Sequence, residues 1–446
     1  MKFSRIKNFY VVSATITVLA AGFYFNLEND EIISQTKTVI NGYNILASST
    51  EEYFFPNAEN NENIIADPLP QKLENPPEII KAIYVTDYSA GTSSYLNYLK
   101  NIFETTEINA VVIDIKGSSG YVAYASDAED VKKYNLDNSA ISDINSLVRF
   151  FHEKNIYVIG RIAVFEDPGY SKARPDLAIY NKEKTKDLAN PVLWRDNNKL
   201  SWVDPASKDV WDYNISIAKD VLKHGFDEIN FDYIRFPSDG DMKNLGYPVW
   251  NGKTSKHLVI KEFFKYLRQE LPNEKISVDL FGQTTINTDD MGIGQIIEDA
   301  FDYVDYISPM IYPSHYIDGF IGFKNPADHP YEVVKYSLEN ANKKIKAYLQ
   351  LKKEEILKKN EAAGSPAALS EVLTVNSGLI SELDSIMLAK IRPWLQDFDM
   401  GADYNAEMVK QEIKATQDSM GADYNGFMLW NPSNIYTKDA VSKTNK

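Results

Sequence analysis

Apolar residues follow two alternating patterns along this chain. Short runs rich in Val, Ile, Tyr and Phe have the composition and length of buried strands. Longer amphipathic stretches between them are typical of helices packed on one side. The predicted strands are Ala82–Asp87, Ala110–Lys116, Ile156–Phe165, Glu228–Phe236, Lys275–Phe281, Val304–Ile311, Ile391–Asp397 and Gly426–Trp430. The predicted helices are Ser93–Glu104, Ile141–Lys154, Lys208–His224, Ser255–Leu271, Ile293–Phe301, Pro330–Lys346 and Ala406–Met420.

Strands that alternate with helices predict a parallel sheet, and eight strands with helices between them is the count of a (β/α)8 TIM barrel. A doubly wound open sheet is the competing architecture, but no G-x-G-x-x-G motif follows the first strand. We therefore expect an α/β fold with a TIM barrel over residues 78–440 and insertions near residues 167–209 and 352–388. Barrels carry such insertions on the catalytic rim, so the first is expected to wall a cleft. The second is equally consistent with a plain surface insertion.

The most informative stretch is Gly225–Pro237, which reads GFDEINFDYIRFP. Glu228, Asn230 and Asp232 are two residues apart, so their side chains fall on one face of the fourth strand. Burying such a row of polar groups is costly unless that face lines a polar cavity. Two interpretations stay open: a strand whose polar face meets solvent, or a barrel strand whose end at Asp232 points into an active site.

Composition removes several classes of function. The 446 residues have a formal charge of -16, which argues against binding nucleic-acid phosphates or docking on an anionic membrane surface. The absence of Cys rules out disulfides, a thiolate nucleophile and Cys-ligated zinc. The 5 His show no metal-binding spacing, so we expect neither a metal nor a cofactor. Aromatic residues make up 12% of the chain, and such rings stack on sugars or fill cores.

The N-terminus has the pattern of a targeting segment. Lys2, Arg5 and Lys7 precede an apolar run from about Phe9 to Phe25. The length of this run lies between a signal-peptide core and a full membrane span, so residues 1–25 are predicted to be a cleaved signal peptide or an uncleaved membrane anchor. Residues 26–77 are rich in Asn, Glu, Ser and Thr, which predicts a flexible linker. Because positive charges precede the apolar run, the rest of the chain is expected to be extracytoplasmic.

Polar or aromatic side chains occur at the carboxyl ends of nearly all the predicted strands. These ends meet at one rim of a barrel, so we expect the side chains to converge there. Any single Asp has an alternative role as a helix cap or salt-bridge partner, and the prediction therefore depends on the convergence. The candidate residues are Asp87, Tyr88, Asp114, Lys116, Arg161, Asp232, Arg235, Asp279, Tyr312, Gln396, Asp397 and Trp430.

Several long segments resemble a family of bacterial glycoside hydrolases with a TIM-barrel domain. They are KAIYVTDYSAG, AVVIDIKGSSGYVAY, GFDEINFDYIRFPSDG, RPWLQDF and GFMLWNPSNIYT, and the match spans about Pro77 to Thr437. The chain is more distantly similar to alpha-amylase-like barrels, in which an Asp at the end of strand four is the nucleophile; Asp232 occupies the matching place. The chitinase strand-four pattern DGxDxDxE is also similar to the stretch GFDEINFDY, with Asp227, Asn230 and Asp232 at the positions of its three acids. Ile234 stands at its catalytic Glu, which argues against chitinase-type substrate-assisted hydrolysis.

Glycoside hydrolysis usually requires two carboxyls, one ionised and one protonated. We predict that Asp232 is the nucleophile or base, held ionised by Arg161 or Arg235. The predicted acid is Asp279 on the adjacent strand. The alternatives for the acid are Glu166 and Asp397. The other candidate residues of the rim are expected to bind the substrate, with stacking on sugar faces by aromatic rings such as Tyr88, Tyr312, Trp430 and Trp202.

Two functions of different class stay open. The first is an extracytoplasmic glycoside hydrolase that cleaves a cell-surface or exported polysaccharide, and that contacts the membrane through its N-terminal segment if this is not cleaved. The alternative is a catalytically inactive carbohydrate-binding or cell-envelope scaffold barrel, which the lack of Glu at the predicted rim favours. Neither function involves nucleic acid.

Overall fold

A closed barrel of eight parallel strands forms the body of the protein in a computed structural model, which describes residues 68–362 and 388–443. Each strand pairs with the next, and the last pairs with the first, so the predicted (β/α)8 TIM barrel is confirmed. The strands are β1 Ile80–Val85, β2 Ala110–Lys116, β3 Tyr157–Ala163, β4 Glu228–Asp232, β5 Lys275–Phe281, β6 Tyr306–Met310, β7 in two parts (Lys390–Ile391 and Trp394–Gln396) and β8 Gly426–Trp430.

Helices cover the outside of the barrel. α6 shows how the sequence sets their limits: the hydroxyl of Ser207 accepts the N–H of Val210 at its start, and Gly225 with φ +84° follows its end. The helices are α1 Asp87–Ala90, α2 Ser93–Thr105, α3 Glu129–Tyr134, α4 Ile144–His152, α5 Pro168–Ala173, α6 Lys208–Lys223, α7 Lys256–Glu270, α8 Pro330–Ala362 and α9 Ala406–Met420.

Two helix predictions differ from the structure. The helix predicted at Ile293–Phe301 is wrong, because only one 3-10 turn, Ile297–Asp299, forms there. Gly294 has φ +86° and Ile296 is extended, so the backbone cannot continue as an α-helix through this stretch. The helix predicted to end at Lys346 continues as α8 to Ala362, inside the predicted second insertion. The rest of that insertion, residues 363–387, lies outside the described residues.

Apolar side chains form two separate layers, one inside the barrel and one between the strands and the helices. β2 shows the alternation that produces them. Val111 and Ile113 belong to the outer layer, whereas Ala110 and Val112 belong to the inner layer. Both faces of each strand are therefore buried, which explains the nearly continuous apolar runs in the sequence. Asp114 is the next inward position of β2, beyond the apolar part of the interior.

The insertion at residues 167–209 folds over the carboxyl end of the barrel. Its Tyr180–Asn181 pairs antiparallel with Leu245–Gly246, which belongs to the segment after β4. Trp194 and Trp202 of the insertion are each 1% exposed, and their burial anchors it. The loop after β3 and the loop after β4 thus form one packed unit above the strand ends.

The end of the predicted linker lies against the opposite face of the barrel. The N–H of Leu73 donates to Asp227 Oδ1 at 2.7 Å, at the start of β4. The carbonyl oxygen of Pro70 is so close to Gly225 that a Cβ there would lie 2.7 Å from it. Within residues 68–362 and 388–443, no helix has the length and hydropathy needed to cross a membrane. The predicted leader, residues 1–25, is outside the described part of the chain.

Candidate active site

Arg161 lies at the centre of a buried group of carboxylates inside the mouth of the barrel. Its Nη1 donates to Asp114 Oδ1 at 2.5 Å, and its Nη2 donates to Asp232 Oδ2 at 2.5 Å. Its Nε donates to Asp232 Oδ2 at 3.2 Å and lies 3.9 Å from Asp279 Oδ2. None of the four residues is more than 8% exposed. We call these four residues the mouth cluster; they come from β2, β3, β4 and β5.

Strand register brings the mouth cluster together. Asp114 is opposite Arg161 in the β2–β3 pair, and Arg161 is opposite Asn230 in the β3–β4 pair. Continuing the β4–β5 register by one residue places Asp232 beside Asp279. Residues two apart on a strand face the same side, so Asn230 and Asp232 both point into the barrel. The polar row in GFDEINFDYIRFP therefore faces the interior rather than solvent.

Asp279 is the most enclosed carboxyl of the mouth cluster, at 1% exposure. Its Oδ1 accepts hydrogen bonds from Asn230 Nδ2 and from Trp394 Nε1, each at 2.8 Å. Burial, together with the charge of Asp232, raises the pKa of Asp279 well above its usual value, although Arg161 opposes the shift. Its surroundings therefore favour the protonated form of Asp279.

Two stacked aromatic rings flank Arg161 on the side of β1 and β8. Tyr84 and Trp430 stack with centroids 3.9 Å apart, and the Arg161 guanidinium lies 5.3 Å from the Trp430 ring. The Tyr84 hydroxyl donates to Asp114 Oδ2 at 2.5 Å. Burial raises the pKa of Asp114, whereas Arg161 lowers it. Trp430 is only half-buried, so part of its surface remains available at the mouth.

The chain leaves the strand conformation directly after Asp232. Tyr233 has φ +54°, an unusual conformation for an aromatic residue, and its N–H donates to Asp232 Oδ1 at 2.5 Å. This turn carries Arg235 to the rim, where its guanidinium lies 4.7 Å from the ring of Trp202. Of the two predicted partners of Asp232, the structure therefore places Arg161 against it and places Arg235 elsewhere.

Glu166 lies on the rim beside this turn, in the segment that follows β3. It forms a β-bridge with Trp202 and is 3% exposed. Burial raises its pKa to about 8, and the charge of Arg235 only partly opposes this. Among the described residues, no hydrogen-bond partner is present for Glu166 Oε1. Glu166 is thus a second carboxyl of the mouth that is protonated at neutral pH.

Lys116 is not part of the mouth cluster, although it is only two residues from Asp114. The β2–β3 register shifts between these two residues, and Lys116 lies 5.1 Å from the Tyr213 ring of α6, on the outer side of the barrel. Its Nζ donates to Asp167 Oδ2 at 2.5 Å, and both side chains are fully buried. Burial lowers the pKa of Lys116, and Asp167 opposes the shift.

Other predicted residues connect the rim loops. Gln396 is fully buried and accepts from the Ser314 hydroxyl at 2.8 Å. Asp397 accepts from the hydroxyl and the N–H of Thr437, and burial raises its pKa to about 6. Tyr312 packs in the inner apolar layer beside the mouth. Asp87 starts α1 and accepts from Asn138 Nδ2 at 3.0 Å, and the adjacent Tyr88 is 53% exposed.

Two residues of the site were not among the predicted ones. Tyr84 binds Asp114, and Trp394 binds Asp279. A signal for Trp394 exists, because it is two residues from Gln396 on the same strand and so shares its face. Tyr84 gave no signal, since a Tyr in a buried strand is ordinary.

In the part of the chain that the structure describes, no group of three or more His, Asp or Glu is arranged to hold a metal ion.

A parallel barrel with a carboxylate cluster at its strand ends defines an enzyme of the TIM-barrel class. The chain belongs to the family described as "Putative glycosyl hydrolase domain", whose model matches residues 82–362 and 366–436. This family assignment confirms the predicted glycoside hydrolase class and the resemblance on which it was based.

The chain is also similar to several solved structures. The glycoside hydrolase domain of PgaB (BpsB) from Bordetella bronchiseptica matches 82% of this chain and 100% of its own, with a TM-score of 0.52 and 11% identity. A hypothetical protein from Ruminiclostridium thermocellum is 37% identical over 47% of this chain and 98% of its own, with a TM-score of 0.40. The glycoside hydrolase domain of PelA from Pseudomonas aeruginosa matches 80% of this chain and 97% of its own, at 11% identity and a TM-score of 0.37. No curated protein matches the chain.

Proposed function

We propose that the protein is an extracytoplasmic glycoside hydrolase that cleaves a cell-surface or exported polysaccharide by two-carboxylate acid/base catalysis. The observation that carries this proposal is the juxtaposition of unlike carboxyls at one mouth. Asp232 is paired with Arg161, whereas burial raises the pKa of two other carboxyls of the mouth, Asp279 and Glu166. One ionised and one protonated carboxyl at the same mouth is what glycoside hydrolysis requires.

Asp232 is the carboxylate that attacks the anomeric carbon or activates water. It is the last residue of β4, and so it stands where barrel enzymes place their reactive groups. Arg161 and the N–H of Tyr233 together bind both of its oxygens, which fixes its orientation. Trp430 is half-buried beside Arg161, and its exposed part is suited to contact a sugar ring.

The proton for the leaving sugar comes from a carboxyl that is neutral at working pH. Asp279 is the candidate beside Asp232 on the neighbouring strand, and Glu166 is the alternative on the rim. Asp397 is less suited, because Thr437 already donates to both of its oxygens. Of the other predicted substrate-binding residues, those that reach the mouth bind the sugar. They are above all Arg161, Tyr312 and Trp430.

The extracytoplasmic location is supported by the basic and apolar pattern of residues 1–25. The segment at residues 68–77 contacts the barrel at the start of β4, on the face opposite the mouth. An N-terminal membrane anchor would therefore join the barrel at the end opposite the mouth.

A panel of envelope polysaccharides tests the proposal by reducing-end release. The wild type is expected to release sugar from at least one of them, and Asp232→Asn is expected to lower that rate by at least about 10³-fold while glycan binding persists. Binding by a wild type that releases nothing from any glycan would instead support the catalytically inactive carbohydrate-binding barrel.

A further inference from the structure

The rim of the mouth holds a second polar layer above the mouth cluster. Val164 N–H donates to the carbonyl of Asp232, so the segment after β3 runs beside the end of β4. Glu166 follows two residues later and is held against Trp202 by a β-bridge. This position is nearer the entrance than the strand interior, where Asp279 lies. A group that meets the leaving part of a polysaccharide must be near the entrance, because the polymer continues outward from the cleaved bond.

The two carboxyls of the mouth with a raised pKa, Asp279 and Glu166, differ in their hydrogen bonds. Asp279 Oδ1 accepts two N–H groups, and Oδ2 faces the Arg161 guanidinium at 3.9 Å. These contacts hold Asp279 within the mouth cluster. Glu166 Oε1 is buried and has no hydrogen-bond partner among the described residues. A buried polar atom without a partner is costly, and such atoms are retained where a ligand supplies the missing bond.

We propose that Glu166 is the proton donor to the leaving sugar oxygen, and that Asp279 is a positioning residue that orients Asp232 through Arg161. This inference rests on the proposed hydrolase function and names the acid of the same site. In the step, the bond between the anomeric carbon and the leaving oxygen breaks, and its electron pair stays on that oxygen. The oxygen takes the proton of the Glu166 carboxyl. Asp232 bonds to the anomeric carbon or removes a proton from the water that does so.

The charges around Glu166 fit this role. The groups that face it are Arg235, Asp196, Asp232, Tyr233 and the hydroxyl of Ser118. Burial is the main cause of its raised pKa of about 8; Asp196 and Asp232 add to the shift, and Arg235 limits it. The carboxyl is therefore neutral before the reaction. Once it has given up its proton, the nearby guanidinium stabilises the resulting anion.

Leaving-group dependence tests the proposal in the full-length chain. Two substrates are compared, the polysaccharide identified by reducing-end release and a dinitrophenyl glycoside of the same sugar, whose leaving group needs no proton. Glu166→Gln is expected to lower polysaccharide hydrolysis by about 10²–10⁴-fold and dinitrophenyl glycoside hydrolysis by less than about tenfold. The fall in rate of the wild type above about pH 8 is expected to disappear in this variant.

Two comparison variants make the result specific. Asp279→Asn is expected to lower both rates by the same factor, as a positioning residue should. Glu412→Gln is a matched change at a fully buried carboxyl of α9, which accepts the N–H of Gln396 on the outer side of β7. It is expected to change neither rate. Equal losses on both substrates for Glu166→Gln would overturn the assignment of Glu166 as the proton donor and leave the proposed hydrolase function intact. A leaving-group-dependent loss for Asp279→Asn would do the same. A wild type inactive on every polysaccharide and every aryl glycoside would overturn the proposed function, and this inference with it.

Discussion

The two ends of the barrel interior both hold a buried arginine, but they balance its charge differently. At the amino end of the strands, Arg392 forms a bidentate ion pair with Glu228, and the Tyr157 hydroxyl donates to the same carboxylate at 3.3 Å. Both charged side chains are fully buried. At the carboxyl end, Arg161 faces three carboxyls: Asp114, Asp232 and Asp279.

This difference separates a structural site from a functional one. A single carboxylate with a single guanidinium in bidentate geometry leaves no net charge in the dry interior. Three carboxyls around one guanidinium cannot all ionise there, so protons are retained and the pKa of Asp279 and of Asp114 rises. Such an imbalance opposes stability and is expected only where the chemistry of a site needs unlike carboxyls.

The largest expected effect on stability comes from breaking the balanced pair. Arg392→Met leaves Glu228 as an unpaired buried charge, so we expect the free energy of unfolding to fall by about 3–5 kcal/mol. Urea denaturation of the variant and the wild type measures this. The double variant Arg392→Met/Glu228→Leu removes both charges and should recover most of the loss. A single variant that costs less than about 1 kcal/mol would mean that the pair at the amino end is not a structural element.

The pH dependence of stability is expected to be smaller and to come from the mouth. The pKa of Glu166 rises from 4.5 to about 8 on folding, so the folded state binds more protons than the unfolded state across this range. The contribution of Glu166 to stability is therefore fully present below pH 4.5 and is lost as the pH rises toward about 8.

Urea denaturation across this pH range checks the sign. The free energy of unfolding of the wild type should fall with rising pH more steeply than that of Glu166→Gln. Glu262→Gln, a change at an exposed carboxyl of α7, should keep the wild-type slope. Identical slopes for the wild type and Glu166→Gln would show that Glu166 does not hold its proton in the folded state.

The smallest effect is expected at Asp279. An amide has the shape of a protonated carboxyl, and its oxygen can still accept from Asn230 and Trp394. Asp279→Asn should therefore change the free energy of unfolding at neutral pH by less than about 1 kcal/mol. A loss above about 2 kcal/mol would indicate that Asp279 is ionised and balances Arg161, which would make the mouth resemble the pair at the amino end.

The strands and the centre of the site could be predicted because they depend on local patterns. Strands buried on both faces have nearly continuous apolar runs, and a period of two placed Asp232 and Asn230 on one face. Arg161 and Asp279 followed from their places on neighbouring strands. The prediction that Asp232 and Asp279 share one mouth needed only the barrel and its parallel register.

The rest depended on departures from regular geometry and on distant contacts. A register shift after Asp114 turns Lys116 outward, and the left-handed conformation of Tyr233 redirects Arg235. The pattern of apolar and polar residues along a strand predicts neither the register shift nor the left-handed residue. The pair of Glu228 and Arg392 joins residues 164 positions apart, and no local pattern connects them.

The most direct measurement of the central claim is a crystal structure of Asp232→Asn with an oligosaccharide of the cleaved polymer. We expect the anomeric carbon of the scissile bond to face the side chain of residue 232 beside Arg161, at about 3–3.5 Å or with one water between them, and the glycosidic oxygen to lie toward Glu166. An oligosaccharide bound away from the mouth cluster, with residue 232 out of contact with the scissile bond, would contradict it.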